Sequence, residues 1–217
     1  MKNIKTKLIL FFEKISSANL GLKSLCFALA ISLIFQFAIL GQSCENIREN
    51  VFRLHILANS DSDADQALKL NVRDRLLEIS ETLFKDAKTE EDAIKISNEN
   101  IDYFTSVARE EILSKGYDYD VKISVGDADF NTRVYDNYTL PAGEYKALRV
   151  IIGKGEGKNW WCVMFPPMCI PAAEEKSQST LTDILDKKGL ELICNGEKYK
   201  VKFKTVEIYE WIKNKIS

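Results

Sequence analysis

An apolar run near the start of the chain has no counterpart further on. From Leu25 to Leu40 only Ser32 and Gln36 are polar. No polar face interrupts the run, which argues against a helix buried in a soluble core. Lysines precede it, as in an export signal or an N-terminal membrane anchor. We predict that residues 1–44 form such a segment, and both a cleaved and a retained form remain open.

Beyond the apolar run, the pattern changes to strand and helix periods. Branched and aromatic residues over Val51–Ala58 predict a strand. Two amphipathic helices follow, the first ending near Lys85 and the second beginning after Thr89 and ending at Gly116. Their apolar stripes are Leu68, Val72, Leu76, Ile79 and Leu83, and then Ile94, Ile101, Phe104, Ala108 and Ile112. Two helices with one polar face each are typical of side-by-side packing on a sheet.

The second half of the chain is richer in strand patterns. Strands are predicted over Tyr119–Val125, Glu144–Ile152 and Trp160–Phe165, with a loop and short strand in 130–138. Residues 172–180 are polar, and short elements are predicted near 181–185, 190–193 and 199–212. We therefore predict an α+β fold, with two amphipathic helices packed on a mainly antiparallel sheet and preceded by the hydrophobic helix.

Charge is distributed unevenly along the chain. The 217 residues carry a formal charge of −2, but residues 1–44 carry +4, so the remainder carries −6. The remainder has no basic stripe with interleaved aromatic residues, which argues against a nucleic-acid partner.

The cysteines take their meaning from the predicted export, because disulfides persist outside the cytosol. Pro166-Pro167 predicts a bend that could bring Cys162 and Cys169 together. Two buried free thiols are the other interpretation. No CxxC spacing occurs, so neither a zinc ribbon nor a thioredoxin-type motif is indicated.

Three acids resemble a calcium loop but do not complete one. Asp61, Asp63 and Asp65 alternate, yet Gln66 replaces the required glycine and Val72 replaces the bidentate glutamate. Acids at a helix start can accept hydrogen bonds from free N–H groups and face the positive end of the dipole. We interpret them as helix capping, and predict no metal or cofactor site.

His55 is the only histidine in the chain. It alternates with Leu54 and Ile56 and so shares a strand face with Arg53. A general base would also need a nucleophile and an orienting acid, and no motif supplies them. A structural or recognition histidine is the favoured interpretation. An exported hydrolase that uses His55 with an acid or Cys162 is the alternative.

Two tryptophans follow a glycine-rich stretch. Residues 153–159 do not match a P-loop and precede a strand, which favours a hairpin turn. Trp160 and Trp161 must then face opposite sides of that strand. A partly exposed tryptophan beside prolines is a good anchor for a protein partner, and internal packing of both rings is the other possibility.

Taken together, these segments resemble the stage II sporulation protein R family. The resemblance rests on Arg53-Leu54-His55-Ile56-Leu57-Ala58-Asn59-Ser60-Asp61, on Asp65-Gln66-Ala67-Leu68-Lys69-Leu70 with Val72-Arg73-Asp74, on Leu140-Pro141-Ala142-Gly143-Glu144-Tyr145 through Arg149-Val150, and on Gly157-Lys158-Asn159-Trp160-Trp161-Cys162 to Cys169. It spans about residues 47–170. The chain departs from the family pattern at Asn131 and Asp136, where proline and glycine are expected.

The resemblance implies a function and a location. Members are secreted by the forespore into the space between the two septal membranes, either free or anchored through the N-terminal segment. There they signal to a membrane-embedded aspartic protease of the mother cell, which processes pro-sigma-E. The resemblance implies an activating ligand without catalytic residues or cofactors, in a signalling domain over residues 45–170 with a variable extension over 171–217.

We expect the partner to bind around the opening motif. The predicted contact residues are Arg53, His55, Asn59, Asp61 and one of Trp160 or Trp161. A structural module of the cell envelope is a third possibility, which predicts no effect on sigma-factor processing when the gene is deleted.

Overall fold

The computed structural model describes residues 20–135, 138–168, 184–185, 187–194, 204–208, 210–211 and 215. The chain divides into two compact units, Met1–Gln42 and Ser43–Ser217. The helices are α1 Leu20–Arg48, α2 Asp63–Leu83, α3 Glu90–Glu99, α4 Ile101–Ser114 and α5 Lys187–Cys194. The strands are β1 Phe52–Leu57, β2 Val121–Phe130, β3 Arg133–Val134, β4 Thr139–Leu140, β5 Gly143–Ile152 and β6 Asn159–Phe165.

Helix α1 contains the predicted hydrophobic segment. Among the described residues, Gly21–Arg48 is the one helix that is long and apolar enough to cross a membrane, judged by length and composition. The helix is therefore compatible with an export signal or a membrane anchor. Its last residues belong to the second unit, where Cys44 and Ile47 are buried.

A four-stranded sheet with the order β2-β5-β1-β6 forms the centre of the second unit. The pairs β2–β5 and β1–β6 are antiparallel, whereas β1 and β5 are parallel. A parallel pair needs a long crossover, and here the crossover contains α2, α3, α4, β2, β3 and β4. The prediction of a mainly antiparallel sheet is confirmed. Strands β3 and β4 form a separate small hairpin.

The helices between β1 and β2 pack on one face of this sheet. Leu54 and Ile56 of β1, and Leu148 and Val150 of β5, share a buried core with the helices. The helical core residues include Leu68, Val72, Leu76 and Ile79 of α2, and Phe104, Ala108 and Ile112 of α4. The apolar stripes read from the sequence thus mark the buried helix faces.

The second predicted helix is divided into α3 and α4. The break falls at Asn100, whose φ of −117° and ψ of 19° leave the helical region. Its side-chain amide donates a hydrogen bond to the carbonyl oxygen of Ile96 at 2.8 Å, a local bond of the kind by which asparagine competes with helix continuation. The predicted N-cap, Thr89, is confirmed and forms a capping box with Asp92.

Several sequence predictions concern residues outside the described part. These are the polar stretch 172–180, most of 181–185, half of 199–212, and the residues Asp136 and Cys169. Cys162 is disulfide-bonded. Cys26, Cys44 and Cys194 are free. The pairing of Cys162 with Cys169 stays a prediction.

Candidate functional site

The sheet face turned away from α2–α4 carries only basic charges. Side chains alternate between the two faces of a strand, and the register assigns Asp127, Asp129 and Glu144 to the helical side. The opposite side, here called the basic face, has no acidic strand residue. Its members are Arg53, His55 and Leu57 of β1, Lys122, Ser124, Gly126, Ala128 and Phe130 of β2, Gly143, Tyr145, Ala147, Arg149 and Ile151 of β5, and Asn159, Trp161 and Val163 of β6.

Half of the basic face is open to solvent. One cross-strand row is Ser124, Arg149, His55 and Trp161, and the next is Lys122, Ile151, Leu57 and Asn159. These eight residues form what we call the open patch. Lys122, Ser124, Arg149 and Asn159 are exposed, whereas Leu57, Ile151 and Trp161 are half-buried. Polar and apolar groups therefore lie together on a flat, rigid surface.

The other half of the basic face is covered. Tyr135, just after β3, contacts Arg53, and the hydroxyl of Tyr145 donates a hydrogen bond to the carbonyl oxygen of Pro141 at 2.7 Å. Arg48, the last residue of α1, donates from Nη1 to the carbonyl oxygen of Ala142 at 3.0 Å. A Cβ at Gly143 would lie 2.6 Å from that Nη1. This glycine therefore allows the end of α1 to pack against β5.

His55 lies at the centre of the open patch but is only 7% exposed. Its Nε2 lies 2.6 Å from the side-chain oxygen of Asn159. An amide oxygen accepts hydrogen bonds, so Nε2 carries the proton and Nδ1 is left as an acceptor in the neutral ring. Nδ1 is buried without a hydrogen-bond partner. Burial lowers the pKa of His55, and the charge of Arg149 lowers it further, while the bond to Asn159 opposes both.

Trp161 supports His55 on one side. The two ring centroids are 3.9 Å apart and the planes are inclined by 12°. Phe130 meets the indole edge-on at 4.7 Å, and the guanidinium carbon of Arg133 lies 5.4 Å from it. Contacts on several sides fix the orientation of a ring that is itself half-buried.

Arg53 belongs to the covered half of the basic face and is fully buried. Its Nε donates to the carbonyl oxygen of Cys162 at 3.0 Å, and its Nη2 donates to the hydroxyl of Tyr135 at 2.7 Å. Its guanidinium carbon lies 4.0 Å from the ring centre of Phe130 and 4.9 Å from that of Tyr145. Within the described ranges no carboxylate pairs with it. In this structure Arg53 packs inside the covered half of the basic face, and the prediction that it contacts a partner stays a prediction.

Asn59 and Asp61 also have structural roles. Asn59 donates from Nδ2 to Asp65 at 2.9 Å and accepts the backbone N–H of Lys154 at 3.1 Å. Asp61 accepts the backbone N–H of Lys158 at 2.7 Å. These bonds tie the β1–α2 connection to the loop between β5 and β6. Both side chains hold this junction together, and their predicted contact with a partner stays a prediction.

The acids at the start of α2 do not cap it as predicted. Ser62 is the N-cap, and its side chain accepts the backbone N–H of Asp65 at 3.2 Å. The buried carboxylate of Asp65 instead accepts from Ser60 at 2.5 Å and from Asn59. Burial alone would raise the pKa of Asp65, but these hydrogen bonds outweigh it and lower the pKa.

The two tryptophans face opposite sides of β6, as predicted. Trp160 packs against the helical core, with the guanidinium carbon of Arg73 4.4 Å from its ring. Trp161 is the one on the basic face. Of the six residues predicted to contact a partner, only His55 and Trp161 belong to the open patch.

Sequence reasoning missed four exposed members of the patch, namely Lys122, Ser124, Arg149 and Asn159. Strand alternation could have assigned Lys122 and Ser124 to one side of β2. The pairing of Arg149 with His55 depends on the parallel β1–β5 register, which no local pattern reveals.

The described residues do not bring Cys162 to His55, as one form of the hydrolase alternative requires. Cys162 is disulfide-bonded and lies in the helical core, on the opposite face of the sheet from His55. The hydroxyl of Ser60 donates a hydrogen bond to the carboxylate of Asp65. In the part of the chain that can be described, no group of three His, Cys, Asp or Glu residues could hold a metal ion. The arrangement is suited to binding.

The fold and site define a small α+β domain that follows an apolar helix and has a basic, partly exposed sheet face. The chain belongs to the stage II sporulation protein R family, whose model matches residues 48–175. It is 35% identical over 158 residues to "Stage II sporulation protein R" of Bacillus subtilis (strain 168). The aligned region covers 68% of this chain and 70% of that relative. No solved structure matches the chain.

Proposed function

We propose that this protein is an activating ligand in sporulation, exported by the forespore into the space between the septal membranes. There it binds a membrane-embedded aspartic protease of the mother cell and causes that protease to process pro-sigma-E. The apolar α1 helix supports an exported or anchored protein, and membership of the family supports the sporulation role.

The open patch is the observation that carries this proposal. Trp161 and Arg149 are of the residue types most enriched among the side chains that dominate binding energy at interfaces. The patch lies on strands rather than on loops, and Phe130, on the same sheet face, contacts both Trp161 and Arg53. A rigid surface of this kind binds with little loss of side-chain entropy.

Activation requires a preference between two states of the protease. A ligand that binds the active and inactive states equally shifts nothing, however tight the complex. We therefore propose that the open patch fits a surface that the protease presents only in its active state. Stoichiometric binding then suffices, and the ligand performs no chemistry.

The proposal is tested in a sporulating strain that lacks its own copy of the gene. Full-length variants are supplied, and pro-sigma-E processing is followed by immunoblot. Trp161→Ala and Arg149→Gln should reduce processing at least about tenfold, since each removes a central contact. Lys146→Gln is the matched control, because it removes a positive charge from the same strand as Arg149 but on the helical side.

Two further measurements separate the other functions. Each variant must be exported and folded to the wild-type level, judged by immunoblot and resistance to proteolysis. Normal processing in both patch variants would contradict the assignment of this surface. Processing that needs only catalytic amounts of protein and is abolished by His55→Ala would favour the hydrolase, and normal processing in the deletion strain would favour the envelope module.

A further inference from the structure

We infer that the open patch recognises an acidic, extended segment of its protein partner. This inference rests on the proposed function and specifies the chemistry of the partner. It starts from the absence of any Asp or Glu among the strand residues of the basic face.

The exposed cations of the patch have no internal partners. Lys122 and Arg149 form neither an ion pair nor a side-chain hydrogen bond within the described residues. Two exposed cations elsewhere show the contrast, since Lys146 pairs with Asp127 at 2.7 Å and Arg109 pairs with Asp120 at 3.0 Å. The two patch cations are therefore available to carboxylates supplied from outside.

The spacing of these cations suits an extended chain. Lys122 and Arg149 lie on neighbouring strands and in neighbouring cross-strand rows, so their Cα atoms are separated by roughly 8 Å. Alternate residues of an extended segment project on the same side at intervals of about 7 Å. Two acids at alternate positions can therefore meet both cations at once.

The remaining groups of the patch supply the other contacts of a peptide. The ring of Trp161 and the side chains of Leu57 and Ile151 are half-buried and offer apolar surface. Ser124 and Asn159 are exposed and offer side chains that can form hydrogen bonds. The patch therefore combines apolar surface with hydrogen-bonding side chains, and an extended peptide can contact both.

The opposite side of the sheet repels the same partner. Residues 61–120, which contain α2, α3 and α4, carry sixteen acidic and eight basic side chains, a formal charge of −8. An acidic segment is therefore attracted to the basic face and excluded from the helical layer. Electrostatic complementarity of this kind contributes more to specificity and orientation than to affinity.

A protein segment fits this patch better than a lipid surface or a nucleic acid. Anionic membranes are recognised by clusters of about four to eight cations, and nucleic acids by extended basic stripes. The open patch has Lys122 and Arg149 as its two charged side chains, and His55 lies on the next strand beyond Arg149. Two cations set in a mixed apolar and polar surface match two carboxylates.

Binding of two labelled peptides to the purified full-length protein in non-ionic detergent tests the inference. The peptides have ten residues and are identical except that every second position is glutamate in one and glutamine in the other. Fluorescence anisotropy should show at least about tenfold tighter binding of the glutamate peptide. Arg149→Gln and Lys122→Gln should each weaken it about threefold to tenfold, and Lys146→Gln should leave it unchanged.

Three results would overturn the inference. They are equal binding of the two peptides, equal weakening by Lys146→Gln, and binding to phosphatidylglycerol vesicles through Arg149 and Lys122 that displaces the peptide.

The processing assay separates this inference from the proposed function. If Trp161→Ala abolishes processing while Arg149→Glu and Lys122→Glu do not, the signalling role stands and the acidic partner is wrong. If the peptide result holds but all three variants process normally, the acidic preference stands and the signalling role of the patch is wrong.

Discussion

The imidazole of His55 lies stacked on the indole of Trp161, with ring centroids 3.9 Å apart and planes inclined by 12°. Both rings are also held in place, His55 by Asn159 and Trp161 by Phe130. The only histidine of the chain is therefore part of a rigid aromatic surface. A lone histidine in the sequence suggests catalysis, but in the structure its contacts are a stacked ring and an amide side chain.

Burial of His55 predicts a loss of stability in mild acid. Its pKa is lowered in the folded protein, so the unfolded chain binds the proton more readily. The stability associated with neutral His55 is fully present above about pH 6.5 and decreases as the pH falls below that value. Urea unfolding at pH 7.5 and pH 5 should show a steeper decline in wild type than in His55→Gln.

The comparison depends on how steeply the free energy of unfolding changes with pH, and not on its absolute value. His55→Gln also removes the stacked ring and so lowers stability at every pH. Parallel pH profiles for the two proteins would contradict the assignment of a lowered pKa to His55.

Gly157 is predicted to be essential for the junction between β1 and the loop before β6. A Cβ at this position would lie 2.2 Å from the backbone oxygen of Ser60 and 2.9 Å from Cβ of Ala58. Gly157→Ala must displace backbone, so we expect a loss of more than about 2 kcal/mol in the free energy of unfolding. Gly126→Ala is the control, because its Cβ meets nothing within 4 Å and should change stability by less than about 1 kcal/mol.

Asp65 is predicted to stabilise the start of α2 as an ionised group. Its pKa is lowered, so its contribution is fully present above about pH 4 and is lost as the pH falls through the folded-state value. Asp65→Asn replaces a carboxylate oxygen with an N–H₂ group, which cannot accept the hydrogen bonds that Ser60 and Asn59 donate. Chemical unfolding at pH 7 should show a loss of about 2–3 kcal/mol.

The exposed Asp63, in the same helical turn, provides the comparison for this effect. Asp63→Asn should change the free energy of unfolding by less than about 0.5 kcal/mol. If the two variants were equally stable, the hydrogen bonds to Asp65 would not contribute as described.

Glu90 shows the opposite dependence on pH. Burial raises its pKa to about 7, with further increases from Glu49 and Asp127 against a decrease from Lys146. Ionised Glu90 therefore destabilises the folded protein above about pH 7, and this penalty disappears as the pH falls towards 4.5. Glu90→Gln should raise the free energy of unfolding by about 1–2 kcal/mol at pH 8.

The gain from Glu90→Gln should vanish near pH 4.5, because wild-type Glu90 is then protonated in the folded state. Glu91→Gln removes an exposed carboxylate from the same turn and should have little effect at either pH. A constant gain across the pH range would show that the raised pKa of Glu90 is not its cause.

The fold was predictable from sequence where the period of apolar residues decides the structure. The buried stripes of α2 and α4 and the cap at Thr89 were all readable. The break at Asn100 was not, because asparagine lowers helix stability without abolishing it and only packing decides whether a helix continues. The parallel pairing of β1 with β5 is also a property of the whole sheet, since local alternation contains no information about the neighbouring strand.

The site was predictable only in part, for the same reason. His55 and the division of the two tryptophans follow from alternation on single strands. Arg149 joins His55 only through pairing between distant strands. The structural roles of Asn59 and Asp61 depend on a loop almost a hundred residues away in sequence, so their hydrogen bonds could not be predicted from the local motif.

The one-sided charge of the strands has a kinetic consequence. With acidic helices on one side of the sheet and cations on the other, the domain carries an electric dipole through its thickness. Such a dipole turns the molecule towards an acidic surface during diffusion, before any contact forms. The range of this effect is set by the ionic strength, at about 8 Å under physiological conditions. Added salt should therefore slow the search for the partner far more than it shortens the life of the complex once formed.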